Sequence, residues 1–159
     1  MASFTFNVAK GREVEFHKRV NDNDPSTSAL IAIVLAEAAL ESDDLLRDYD
    51  TVDALLAGAS NEATNSVRKT LTDAELAVET IDDSLDRVTL PFPTLTYTTP
   101  AAGDAWRKLI LAYDADTGAG TDANLIPVTA HDLLINGAAI VPTGVNIVIS
   151  SSAGYLVAT

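Results

Sequence analysis

Three aspartates, Asp114, Asp116 and Asp122, fall in one glycine-rich stretch, DADTGAGTD. Clustered carboxylates are what a hard cation needs, and an Asp-x-Asp start matches the opening of a calcium loop. The match stops there. Gly118 stands at the third ligand position, Ala119 where the turn glycine belongs, and Leu125 where a bidentate Glu should close the shell. An ordinary acidic turn is the expectation, with no metal and no cofactor. Residues 117–121 (TGAGT) lack a lysine, and flanking aspartates repel phosphate, so a nucleotide site is not expected. His131-Asp132 is the only His–acid neighbour pair, with Ser150, Ser151 and Ser152 downstream. A hydrolytic triad needs its serine on a sharp elbow beside an oxyanion hole, and no G-x-S-x-G occurs. Neighbours on a strand also point to opposite faces. His131 is therefore read as a structural hydrogen-bonding residue. His17 has no evident partner, and two distant histidines make no case for zinc. No catalytic residue emerges, and the chain reads as a non-enzyme.

The elements that position these residues are centred on 106–134. Two short apolar runs, 109–113 and 125–128, flank the polar loop and read as strands joined by a long turn. This pair is expected at the centre of the fold.

The 159 residues fit one domain, 1–159, long enough to bury a real core, and a hydrophobic fraction of 47% fits a globular chain. Cysteine is absent, which removes disulfides and thiolate chemistry. A net charge of −13 repels nucleic acid and anionic membranes and suits contact with basic partners. The first residues lack the pattern of a signal peptide, and the apolar run 29–36 is too short to span a bilayer. A soluble, acidic, mainly β domain is expected.

Along the chain, 3–8 alternates as a first strand. Residues 11–20 fit either period, with helix favoured. ALIAIVL (29–35) is read as a buried strand for its Ile31, Ile33 and Val34, although the residues after it favour helix. The clearest helical signal is 42–58. Ser42 can cap it, Asp43 and Asp44 sit at the positive dipole end, and Leu45, Leu46, Tyr49, Val52, Leu55 and Leu56 line one face. Gly58 suits a left-handed C-terminal position, and Asp50-Thr51 can split the segment in two, with Asp50 as the second cap. Residues 66–71 look like a strand, 73–78 like one helical turn, and 81–86 like an acidic loop. Residues 87–98 alternate, but Pro91 and Pro93 place them at a sheet edge or bend. Asn136-Gly137 marks a hairpin turn, and 145–150 and 155–158 are expected to close the sheet. The fold expected is α+β, mainly β: an antiparallel sheet or sandwich with one prominent helix near 42–58. The aromatic residues, among them Trp106, Phe16 and Tyr113, read as core and not as a base-stacking platform.

Three groups of residues resemble a family. FTFNVAKGREVEFHKRVNDNDPSTS, LLRDYDTVDALLAG with ATNSVRKTLTDAEL, and LAYDADTGAGTDANLIPVTAHD look like small virion-associated proteins of tailed bacteriophages. AGYLVAT at the end looks like theirs too. The likeness is weakest across 77–105 and 136–152, and its most specific pieces are VRKTLTD and DADTGAGTDANLIP. It implies a virion component on the head, made in the host cytoplasm, and supplies no functional residues. A capsid decoration protein binding the major capsid protein, in many copies or as a homo-oligomer, is the leading expectation. A neck or tail component, a host-surface or glycan-binding module and, last, an enzyme are the alternatives.

No charged side chain occurs from 133 to 159. Interface cores are depleted in charge, so this segment is expected to contact another chain. Ile147, Ile149, Tyr155, Leu156 and Val157 are its candidate interface residues, with Tyr155 and Leu156 as anchors. The competing reading is that a monomer buries them in its own sheet.

Overall fold

The computed structural model describes residues 3–151 and 154–158, with Val157 and Ala158 as backbone only. β1 (Ser3–Thr5) leads through a 3-10 turn (Asn7–Ala9) into α1 (Glu13–Asn21). β2 (Ala29–Ala36) is followed by two short helices, α2 (Asp43–Leu46) and α3 (Val52–Ala57). Four brief strands come next: β3 (Lys69–Leu71), β4 (Thr80–Asp82), β5 (Arg87–Leu90) and β6 (Leu95–Tyr97). β7 (Trp106–Asp114) and β8 (Ile126–Asp132) are long, and β9 (Leu134–Ile135), β10 (Ala138–Ala139), β11 (Ile147–Ile149) and β12 (Leu156–Ala158) are short.

The chain is mainly β, as expected. Its main sheet has five antiparallel strands in the order β1-β8-β7-β2-β3. β7 and β8 pair as the sequence suggested, and β7 is the middle strand. Every residue of β2 is buried. Leu30, Ala32, Val34 and Ala36 face one core, while Ala29, Ile31, Ile33 and Leu35 face a second on the opposite side. That explains an apolar run without polar alternation: neither face of the strand meets water. The first core is closed by Phe16 and Val20 of α1 together with Leu90, Tyr97, Ile149 and Tyr155. The second is closed by Leu46, Val52 and Leu55 of α2 and α3, with Phe4 and Phe6.

Pro127 lies inside β8, where a missing N–H would break a regular ladder. The register slips there, Leu111 facing Thr129 while Ala112 faces Pro127, so Val128 is the extra residue of a bulge.

Several expectations are corrected. The one prominent helix gives way to the split that Asp50-Thr51 allowed, into α2 and α3, but Thr51, not Asp50, caps the second by accepting from the Ala54 N–H at 3.2 Å. Leu45 is 57% exposed although it shares the apolar stripe, because the break turns it away from the sheet. Gly58 has φ −72° and adopts no left-handed conformation. Only Lys69–Leu71 of 66–71 is strand; the single turn expected after it is present at 73–75, closed by the Leu76 N–H donating to the Thr72 carbonyl at 3.1 Å. The first strand ends at Thr5. The expected acidic loop, 81–86, gives its first two residues to β4 (Thr80–Asp82). Pro91 and Pro93 split 87–98 into β5 and β6, each in a small sheet of its own. β11 and β12 do not close the main sheet. β11 pairs β6 and β12 pairs β5, in small sheets apart from the main one.

Leu46 and Leu45 separate the two faces of α2. Leu46→Ala is expected to destabilise the fold by roughly 2–5 kcal/mol, as for a fully buried leucine, and Leu45→Ala to stay within about 0.5 kcal/mol. Denaturant unfolding of both variants checks this.

Candidate functional site

The acidic loop is tied down by its own side chains. Asp114 accepts from the Asp116 N–H and Asp116 from the Gly118 N–H, each at 3.0 Å. The Asp122 carboxylate is gripped by the Arg68 guanidinium, whose Nη2 also lies 2.6 Å from Glu62. This pairing holds the Asp122 carboxyl below the usual aspartate range and Arg68 firmly protonated. Asp122 O also accepts from the Asp53 N–H at the start of α3, so the loop is fastened to two elements. Among the described residues no group of His, Asp and Glu gathers to hold a metal. The three carboxylates hold the turn backbone and a guanidinium. Arg68 was missed in the sequence because its partners lie 6 and 54 residues away.

His131 and Asp132 point apart, as strand alternation requires. His131 Nε2 lies 3.0 Å from Thr129 Oγ1, and its ring meets Phe92 edge-on. Asp132 accepts from the buried Lys108 Nζ at 2.6 Å; Lys108 also lies 2.9 Å from Asp43 and over the Phe4 ring. Lys108 and Asp132 are direct cross-strand partners, which a register for the two apolar runs would have exposed. Ser150 is exposed and Ser151 donates to the Gly154 carbonyl at 2.9 Å, so neither stands beside His131; Ser152 lies outside the described residues.

His17 does have a partner. Its Nε2–H donates to the Ala77 carbonyl at 3.0 Å, which leaves Nδ1 to accept from the Tyr155 hydroxyl at 2.8 Å. Burial holds His17 neutral and Tyr155 protonated. Tyr155 is therefore a core residue and not an interface anchor. Ile149 is buried with it, while Ile147 and Leu156 are half-buried against the same core. The side chain of Val157 lies outside the described residues. The monomer takes the chosen anchors because β11 and β12 cover the first core.

The charge-free segment nevertheless presents a surface. Residues 133–135, 140–141 and 145–150 enclose a cavity of about 430 Å³. Its floor is the outer side of the first core, formed by Leu133, Ile140, Ile147 and Ile149. Its rim exposes Ile135 (59%), Val141 (63%), Val145 (63%) and Val148 (59%). Asn136 (φ 53°) and Gly137 (φ 82°) turn the β9–β10 hairpin on one side, the double positive φ that such a two-residue loop requires. These exposed aliphatics form an apolar patch without a charge among them. The segment was legible in the sequence; which of its residues face outward was not, since the strands are too short to show alternation.

No protein family, curated protein or solved structure matches the chain. No helix among the described residues is long and apolar enough to cross a membrane.

Two outcomes test this geometry. Millimolar calcium and a chelator should give the same melting midpoint, since a bound ion would raise it by mass action. Burial and the nearby Lys108 push His131 down to about 4 from an ordinary 6.5. The unfolded chain therefore takes up the proton first, and stability should fall as pH drops from 6.5 towards 4, by about 3 kcal/mol from this residue. His17, also lowered, acts in the same direction. His131→Gln should flatten that part of the stability–pH curve, as measured by urea unfolding at stepped pH.

Proposed function

We propose that this protein is a non-enzymatic structural component of a tailed-bacteriophage virion: a decoration protein that binds the outer face of the major capsid shell and stabilises it. The observation that carries this reading is the apolar slot built wholly from charge-free residues on a chain of net charge −13. Such a surface gains by being covered, and repetition over a shell multiplies a modest contact. The resemblance to virion-associated proteins supports the same reading. Its two most specific pieces, VRKTLTD and DADTGAGTDANLIP, meet through the Arg68–Asp122 ion pair. Their shared role here is to fix a loop, which agrees with a protein of structural function.

Purified protein added to empty shells of a host phage should sediment with them at saturation and raise the temperature at which they disrupt. Val145→Lys should weaken that binding at least about tenfold, since it puts a charge into an apolar contact. A virion density map that places the chain on the tail axis would replace the shell with a neck or tail site. Absence of co-sedimentation would remove the shell reading altogether.

A further inference from the structure

The slot is bounded by strand edges. Its lining takes consecutive residues from each wall, 133–135 on one side and 145–150 on the other. In a strand, consecutive side chains point to opposite faces, so a wall lined by a whole run is an edge and not a face. β9 pairs only β10, and β11 pairs only β6, so each strand keeps one edge without a partner strand among the described residues. No residue of β6 lines the slot, so β11 turns its unpaired edge inward. An unpaired edge is a template for one more strand.

We propose that the slot receives an extended segment of a basic partner protein, which pairs as an added strand along the β11 edge. This deepens the decoration reading and rests on it for the identity of the partner. The pairing would set alternate side chains of the incoming segment on the apolar floor, where Ile140 and Ile147 are half-buried and incompletely covered. The slot carries no charge to match, so the inserted residues are themselves uncharged. The chain as a whole carries −13, which draws a segment with basic flanks to it over a distance. The same net charge disfavours a second copy as occupant, because two such bodies repel.

The probes are two blocked peptides sharing a Val-Thr-Val-Thr-Val centre, one flanked by lysines and the other by glutamates. Binding is read by fluorescence anisotropy, and pairing by backbone amide exchange. The lysine-flanked peptide should slow exchange within 145–149 and bind about tenfold or more tighter than the glutamate-flanked one at low salt, the gap closing as salt rises. Val148→Lys, at an exposed position, should keep the melting midpoint and lose the binding. Unchanged exchange under saturating lysine-flanked peptide overturns the proposal. So does equal affinity for both peptides, and so does protection that grows with protein concentration alone, which would make a second copy the occupant. Peptide pairing without shell binding would keep the slot and discard the shell; shell binding without amide protection would keep the shell and discard the added strand.

Discussion

β2 cannot meet water on either face, and this constraint organises the chain. Eight residues of β2 pair with β7, and the side chains of β2 alternate between two separate cores. A strand buried on both sides has to find every backbone partner within the sheet, since an unpaired buried amide has a cost comparable to a lost hydrogen bond. β3 supplies the second edge over Leu30, Ile31 and Ala32, and the isolated Leu35–Glu62 bridge continues that side. Everything else covers one face or the other: α1 and the small sheets on one side, α2 and α3 on the other. The two short helices suffice because they only have to lid a sheet, with Leu46, Val52 and Leu55 as their contribution.

Charge is arranged around this apolar centre with the same economy. Lys108, the one lysine buried in the main sheet, is set between Asp132 and Asp43, so its ammonium is never left alone in an apolar region. Losing one partner of such a set is more damaging than the set is stabilising, because the remaining charge has nowhere to go. The Arg68 clasp differs. Its groups keep a quarter to a third of their exposure, and its work is local: it fastens a glycine-rich loop that would otherwise sample many conformations.

Much of the architecture was legible in the residues, for reasons that can be named. β2 and the β7–β8 pair show because Ile31, Ile33 and Val34, and the 109–113 run, are apolar blocks bounded by turn residues. The β9–β10 hairpin shows through Asn136-Gly137. What did not show depends on contacts between distant residues. Periodicity could not reveal that Leu45 faces water, since the break before α3 reorients the stripe. It could not reveal that Tyr155 is buried, because its partner His17 is 138 residues away. The absence of charge in 133–159 falls on a segment that forms both core and an apolar slot. It could not say that one half of the segment is core and the other half rim, as three-residue strands carry too little pattern to decide.

That hydrogen bond between His17 and Tyr155 also carries an entropic cost. Closing a loop of 138 residues costs more chain entropy than any local contact, though the cost grows only logarithmically, by about 0.6 kcal/mol for each doubling of length. β12 has β5 as its partner strand, outside the five-stranded sheet. The bond and this pairing tie the end of the described chain to α1 and to β5, both distant in sequence. Tyr155 shares the first core with Phe16, so the last described residues form part of its wall, while β2 and β7 hold the centre through an eight-residue pairing.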